Sequence, residues 1–118
     1  MVEANPDDTP WIGIDLGTTF SACAIFKKTS EQIETLQNVD TGLNTTPSIV
    51  AYRGADKKVA KKKQGTPDVL VGHPAKIQQP RNLENTLYDA KRMIGKTFND
   101  PYIQKLKAIW PFEVVEGE

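Results

Sequence analysis

The first half of the chain alternates short apolar runs with polar breaks. Residues 11–16 form an apolar run with β-branched side chains, a Gly-Thr-Thr break follows at 17–19, and a second apolar run occupies residues 20–26. Two apolar runs around such a break predict a β-hairpin. Strand-forming and polar positions alternate again over residues 33–38, which predicts a third strand, whereas residues 39–48 have the composition of a loop.

A second pair of strands is predicted around a lysine-rich segment. Residues 48–52 are expected to form a strand and residues 69–72 its return. Residues 54–67, between them, contain five lysines and almost no apolar side chains, with glycine and proline near both ends. This composition predicts a long, solvated and poorly ordered loop.

Three helical segments are predicted in the second half of the chain. The first begins at Pro74 and ends at Pro80, because proline suits the first turn of a helix and cannot continue its interior. The third begins at Asp100-Pro101 and ends by Pro111, with apolar side chains at helical spacing between them. A last strand is predicted over residues 112–115.

The middle helix, predicted over residues 85–95, carries the most complete set of helix signals. Asn85 is placed to cap the first turn, cations in the last turn suit the helix dipole, and Gly95 supplies a left-handed stop. The residues expected on one apolar face are Leu87, Ala90 and Ile94, and the cations are Lys91 and Arg92.

The composition excludes several classes of protein. The 118 residues include 15 lysines and arginines and 15 aspartates and glutamates, and this balance argues against a dedicated nucleic-acid-binding protein. No run approaches the roughly 20 apolar residues of a membrane span, and the acidic residues 1–10 lack the apolar region of a secretory signal. A single cysteine, Cys23, and a single histidine, His73, exclude an internal disulfide and a metal site made of cysteine or histidine clusters. We therefore expect one domain or part of one, with residues 1–10 as a flexible tail, in the cytoplasm or, alternatively, the nucleus.

The segment 13–20 contains the residues with the clearest chemistry. Asp15 stands at a strand end, where a carboxylate can hold Mg²⁺ through water. Gly17 lets the backbone approach a ligand, and the amides and hydroxyls of Thr18 and Thr19 can donate to phosphate oxygens. An ordinary tight hairpin with aspartate and threonine as turn formers explains the pattern equally well. A Walker A loop and a Rossmann fingerprint are excluded, because each needs a helix after its glycines.

Five short blocks follow one another along the chain. The first is Gly13-Ile14-Asp15-Leu16-Gly17-Thr18-Thr19-Phe20-Ser21. The others are Asn44-Thr45-Thr46-Pro47-Ser48-Ile49-Val50, Val71-Gly72-His73-Pro74-Ala75-Lys76, the segment 85–95 and Trp110-Pro111-Phe112. In order and spacing these blocks resemble the DnaK-type, seventy-kilodalton heat-shock chaperone family, and the first resembles its first phosphate-binding segment. The resemblance covers roughly residues 11–116.

The resemblance implies an α/β fold, the N-terminal segment of an actin-like (ribonuclease H-like) ATPase lobe with antiparallel strands and short helices. It also implies ATP or ADP and Mg²⁺ as ligands. Asp15 would lie near Mg²⁺, and Gly17, Thr18 and Thr19 would cradle the phosphates.

Two further residues take their expected roles from the resemblance alone. Phe20 belongs to the phosphate-binding segment but stands where the family often has tyrosine, so a hydroxyl contact there is lost. Lys76 matches the family's catalytic lysine, which positions the attacking water and stabilises charge on the transferring phosphoryl group. Such a role agrees with the general need of phosphoryl transfer for positioning and electrostatics.

The family resemblance also implies what the parent protein does. It would be an ATP-dependent chaperone of the stress response that binds unfolded client peptides and works with J-domain proteins and nucleotide-exchange factors. Residues 11–118 would be an incomplete N-terminal portion of its nucleotide-binding domain, because the family's second phosphate segment, adenosine pocket and peptide-binding domain lie downstream. The loop at 54–67 is longer than the family's usual connection. We expect the isolated chain to be inactive as an ATPase and to contact neither membrane nor nucleic acid.

Two alternatives stay open at this stage. The chain could be a non-catalytic basic interaction module built on the lysines of residues 54–67. It could also be a fragment of a sugar kinase, because sugar kinases of the same actin-like superfamily share an Asp-x-Gly-Thr-Thr turn. A second phosphate loop or a sugar-binding pocket beyond residue 118 would separate chaperone from kinase.

Overall fold

The first sheet is built around the predicted hairpin. The computed structural model describes residues 9–53 and 68–117, so most of the predicted tail and the whole predicted loop at 54–67 lie outside the described residues. The strands of this antiparallel sheet are β1 (Trp11–Leu16), β2 (Phe20–Lys27), β3 (Gln32–Thr35) and β4 (Thr46–Pro47). The central strand, β2, pairs with β1 over most of its length, with β3 over its second half and with the short β4 at its beginning. The predicted hairpin and third strand are confirmed.

The second sheet is antiparallel as well and contains the predicted second pair of strands. Its central strand β5 (Val50–Arg53) lies between β6 (Asp68–Val71) and β7 (Thr86–Leu87). One small core lies against this sheet. Its members are buried Ile49, Ala51 and Ala75, with Leu70 and Tyr88 packed around them.

The first predicted helix is confirmed as α1 (His73–Gln78), with a proline in its first turn. Gly72, just before it, has a φ of +71°, and an ideal Cβ there would lie 2.5 Å from Cγ2 of Thr46. Glycine is therefore needed both for the backbone angle and for the close approach of α1 to β4. A 3-10 turn over Gln79–Arg81 follows, so Pro80 ends the regular α-helix as expected.

The predicted middle helix is largely wrong. A 3-10 turn (Leu83–Asn85) and strand β7 replace its first half, and only α2 (Ala90–Met93) is α-helical. The physical reason is Thr86, which is fully buried. Its hydroxyl donates to the carbonyl of Asn82 at 2.6 Å and accepts from the Gln78 amide at 2.9 Å, while its backbone pairs with β5.

The details of that segment change with it. Asn85 does not cap a helix and instead donates its side-chain amide to Oδ1 of Asn82 at 3.0 Å. Leu87 and Ile94 are exposed, so the expected apolar face does not form. Gly95 has a φ of +72° and ends the segment in the left-handed conformation, as predicted.

The third predicted helix is confirmed as α3 (Pro101–Lys107), and its cap is Asp100. The Asp100 carboxylate accepts from the amide of Tyr102 at 2.8 Å. This bond, with the nearby ammonium of Lys96, lowers the pKa of Asp100. Residues 112–115, expected as a strand, form no strand in the described part of the chain.

A second core forms beside α3 and explains why residues 112–115 are not a strand. Its buried members are Ile103, Trp110 and Phe112. Phe112 stacks on Trp110 and meets Tyr88 edge-on, with ring centroids 5.4 Å apart in both pairs. Phe112 is thus fixed by aromatic packing rather than by a strand partner. Tyr88 packs against both cores and links them.

The first sheet leaves much of its apolar surface exposed. Trp11 is 64% exposed and contacts Phe26 at 5.9 Å between ring centroids, whereas Trp110 is buried. Ile12 and Ile14 of β1 are also exposed. Within the described ranges, no helix is long and apolar enough to cross a membrane.

Candidate functional site

The turn between β1 and β2 consists of Gly17, Thr18 and Thr19. An ideal Cβ built on Gly17 would overlap the carbonyl oxygen of Phe20. No side chain fits there without moving the backbone, so glycine is required by space at this position. The structure thus keeps three of the predicted site residues in one tight turn, with Asp15 two positions before Gly17 and Phe20 directly after Thr19.

Ser48 holds this turn from the loop that follows β4. Its amide donates to the carbonyl of Thr19 at 2.9 Å, and its hydroxyl donates to the carbonyl of Gly17 at 2.8 Å. The Ser21 and Ser48 hydroxyl oxygens are 2.8 Å apart. Because the single hydroxyl hydrogen of Ser48 is given to Gly17, Ser21 is the donor in that pair. Ser48, within the block 44–50, therefore acts as a clamp on the turn.

Lys91 reaches the same turn from α2. Its ammonium donates to the carbonyl oxygen of Leu16 at 2.8 Å, across a sequence separation of 75. Leu16 directly precedes Gly17, so this bond brings a positive charge to the backbone at the start of the turn. Sequence reasoning assigned Lys91 only to the helix dipole and missed this contact. The available signal was its place in the segment 85–95, one of the blocks that resemble the chaperone family.

Lys76, on α1, lies near Phe20, the residue that follows the turn. Its ammonium is 5.5 Å from the centroid of the Phe20 ring, within the range of a cation–π contact. Phe20 therefore takes part in the arrangement through its ring. The structure brings Lys76 next to the end of the turn, and it places Lys91 next to the beginning.

Asp15 is the acidic residue of the site. It belongs to β1, pairs with Ala22 of β2 and is exposed. In the part of the chain that the structure describes, no group of three or more histidine, cysteine, aspartate or glutamate side chains could hold a metal ion. Asp15 is thus a single exposed carboxylate beside the turn, outside any such cluster of the described residues.

His73 and Cys23 take no part in this arrangement. His73 opens α1 and is half-buried, and its Nδ1 atom has no hydrogen-bond partner among the described residues. Cys23 is a half-buried free thiol on β2, opposite Ile14. A small, weakly polar side chain such as that of cysteine suits this position.

Comparison with known proteins identifies the family. The family model described as Hsp70 protein matches residues 11–118. The chain is 41% identical over 107 residues to a heat shock 70 kDa protein 2 of Paracoccidioides lutzii. It is 39% and 42% identical over the same length to heat shock 70 kDa proteins of Emericella nidulans and Trichophyton rubrum.

The matches cover most of this chain but only a small part of each relative. Each alignment covers 91% of this chain but only 14% of the relative, so the chain spans about a seventh of the length of these relatives. The antiparallel strands and short helices are those of the N-terminal part of the family's actin-like ATPase lobe. On the match over residues 11–118 and the shared identity, this chain is a member of the Hsp70 family.

Proposed function

We propose that residues 11–118 are the N-terminal portion of the nucleotide-binding domain of an ATP-dependent chaperone. In this proposal the turn Gly17–Thr19 supplies one side of a site for ATP or ADP with Mg²⁺. The observation that carries it is the convergence of Ser48 and Lys91 on the carbonyl oxygens of this turn. Family membership favours the chaperone over the sugar-kinase alternative.

The turn fits a phosphate group chemically. Its contacts to Ser48 and Lys91 use carbonyl oxygens of Leu16, Gly17 and Thr19, and they leave the amides and hydroxyls of the two threonines out of those bonds. Backbone amides and hydroxyls that take no part in these bonds stay available as donors to an anion. The two lysine ammonium groups on either side add positive charge.

Asp15 fits Mg²⁺ only in a shared role. Mg²⁺ in nucleotide sites keeps several water ligands and takes one or two carboxylates together with phosphate oxygens. A single exposed carboxylate beside the phosphate turn meets that need, whereas it could not form a closed metal site. Asp15 would therefore orient the hydrated cation, which neutralises phosphate charge when bound.

Two lysines are candidates for stabilising charge on the transferring phosphoryl group. The prediction from the resemblance names Lys76. The geometry favours Lys91, because its ammonium lies on the backbone between Asp15 and Gly17, while that of Lys76 lies over the Phe20 ring. We propose Lys91 for this role, and the assignment of Lys76 stays a prediction that the same experiment tests.

The partners of the whole protein follow from the proposed function. An ATP-dependent chaperone of this family would bind unfolded client peptides and work with J-domain proteins and nucleotide-exchange factors. The basic-module alternative depends on residues 54–67, which lie outside the described residues.

A chimera tests the proposal. Residues 11–118 would replace the matching segment of the Trichophyton rubrum relative, and single-turnover ATP hydrolysis would be compared with that of the unmodified relative. We expect the chimera to hydrolyse ATP and Lys91→Ala to slow hydrolysis by about 10²–10³, the usual cost of losing one charge-stabilising donor. Lys105→Ala on α3 is the matched control.

The outcomes of this experiment separate the assignments. A slow step in Lys76→Ala with normal hydrolysis in Lys91→Ala would return the role to Lys76. A folded chimera that binds no nucleotide would contradict the proposed function itself.

A further inference from the structure

Asp89 has an unusual backbone conformation just before α2. Its φ and ψ are +59° and +19°, in the left-handed region. Residues other than glycine are uncommon there and persist where their surroundings fix them, often at functional sites. The Asp89 side chain is only 24% exposed. The contacts of this side chain therefore fix an uncommon backbone conformation at the start of α2.

Four residues, Asp89, Arg92, Tyr102 and Trp110, form a set of contacts that we name the α3 brace. Asp89 Oδ2 accepts from the indole Nε1 of Trp110 at 3.2 Å, and its Oδ1 lies 3.4 Å from Nε of Arg92. Arg92 also donates from Nη1 to the Tyr102 hydroxyl at 2.9 Å, which, with Asp89, raises the pKa of Arg92. The brace thus joins the start of α2 to α3 and its core.

Trp110 anchors the α3 brace in a buried core, whereas α2 is too short to be stable by itself. Trp110 is 6% exposed and stacks on Phe112 in the second core. By contrast, α2 has four residues, far fewer than an isolated helix needs to be stable. The direction of α2 must therefore come from contacts outside it, and the brace supplies them at its first turn.

Lys91 is the residue that this arrangement serves. It follows Asp89 by two positions, and its ammonium bonds to the carbonyl of Leu16 at 2.8 Å. A long, exposed lysine side chain keeps such a bond only if its backbone is held at the correct distance. We propose that Asp89 is a positioning residue: its bonds to Trp110 and Arg92 fix the start of α2 so that Lys91 stays on the phosphate turn. The consequence of this positioning for ATP rests on the proposed function. The coupling between Asp89 and the Lys91–Leu16 bond does not depend on it.

The carbonyl ¹³C chemical shift of Leu16, measured by NMR on the 118-residue chain, reports the bond to Lys91 directly. Lys91→Met gives the change that follows loss of that bond. We expect Asp89→Ala to reproduce most of this change, and to add none when Lys91 is already methionine, because residues that act through one contact are not additive. Exposed Glu84→Ala is the matched control and should leave the shift unchanged.

Two more variants separate the side-chain contacts from the backbone conformation. Asp89→Asn keeps an acceptor for the indole N–H and tolerates the left-handed region, so it should stay close to wild type. Asp89→Gly accepts that backbone without strain but loses both contacts, so it should resemble Asp89→Ala. If Asp89→Ala fails to fold, Trp110→Phe keeps an aromatic ring, removes the indole N–H and should move the Leu16 shift in the direction of Lys91→Met.

The proposal is overturned if Asp89→Ala and Asp89→Gly leave the Leu16 shift unchanged in folded chains while Lys91→Met moves it. It is also overturned if Lys91→Met has no effect, because the coupled bond would then be absent. Failure of the proposed function would give a different result. In that case Mg²⁺–ATP would not move the amide signals of Gly17–Thr19, while substitution of Asp89 would still change the Leu16 shift.

Discussion

Gly17 and Gly72 stand at two positions where the surrounding atoms leave no room for a side chain. At Gly17 a side chain would overlap the Phe20 carbonyl, and at Gly72 it would meet Thr46. Both glycines let two backbone segments approach, Gly17 within the turn between β1 and β2 and Gly72 between α1 and β4. The turn at residues 17–19 could thus be predicted from the sequence, because glycine and threonine favour turns for local reasons.

Lys91 shows what could not be predicted at this scale. Its contact joins residues 75 positions apart, and a pattern along the chain contains no measure of that distance. Within its own segment, a lysine near a helix end has a sufficient local explanation in the dipole. The two bonds of Ser48 to the turn could not be predicted either, because they depend on how β4 pairs with β2.

Substitution of Gly17 tests the steric argument. Gly17→Ala should lower the free energy of unfolding by about 1–3 kcal/mol, the usual cost of forcing an extra methyl group into filled space. Gly13→Ala is the matched control, because its Cβ would meet only the Ala24 oxygen at an ordinary 3.9 Å. Urea unfolding of both variants gives the comparison. Equal stability of the two would show that the turn can relax around a side chain.

The helices and strands differ in how far local signals decide them. In α3 an aspartate cap, a proline in the first turn and a buried Ile103 all indicate the same helix, and it forms as predicted. In the segment 85–95 the local signals also favour a helix, but the buried hydroxyl of Thr86 and its pairing with β5 prevail. Residues 112–115 fail as a strand for the same reason, because tertiary packing of Phe112 outweighs strand propensity.

The cap of α3 makes stability depend on pH in a defined direction. The pKa of Asp100 is lowered below its ordinary value of 3.8, mainly by the Tyr102 amide. Its charge therefore stabilises the folded chain at pH values above that ordinary value, and this contribution is lost as pH falls through the lower, folded-state pKa. Asp100→Asn keeps an oxygen acceptor but no charge.

We expect the wild-type chain to have the higher urea midpoint at pH 7, and the difference from Asp100→Asn to vanish in acid. Glu113→Gln, at an exposed position, controls for general loss of charge. A difference that grows as the pH falls below 3.8 would contradict the account of the cap.

The lysine-rich segment 54–67 should be dispensable for the fold. It has one sizeable apolar side chain, Val59, and the free energy of loop closure changes by only about 0.6 kcal/mol for each doubling of length. Deletion of residues 57–64 should leave the thermal midpoint unchanged or slightly higher and should remove most salt-sensitive retention on heparin. A large loss of stability would show that the segment packs against the rest, and unchanged retention would exclude an anion-binding role.

At the scale of the whole molecule, the described residues form two small cores and an exposed first sheet. Ile12 and Ile14 of β1 are 65% and 73% exposed, so much of this sheet lacks cover within the described residues. Isolated exposed apolar side chains are common, but a whole exposed strand is typical of a surface that contacts other protein. That exposure agrees with the proposal that residues 11–118 are one portion of a larger lobe.

The isolated chain should not hydrolyse ATP measurably. In the proposed site its residues would approach the phosphates from one side, so water would reach the reacting group and the charge of the transition state would be poorly compensated. A sensitive phosphate-release assay on the purified 118-residue chain is the measurement. Turnover above background that disappears in both Lys91→Ala and Lys76→Ala would contradict a one-sided site.

An NMR titration of the ¹⁵N-labelled chain with Mg²⁺–ATP tests the central claim most directly. If Gly17–Thr19 form the phosphate side of a nucleotide site, their amide signals should move together in a saturable way. Lys91→Met should weaken the effect, while Lys105→Met on α3 should not. Adenosine, which lacks phosphate, should leave these amides in place. Unmoved turn amides at saturating nucleotide, or equal shifts with adenosine, would contradict the assignment of this turn to phosphate.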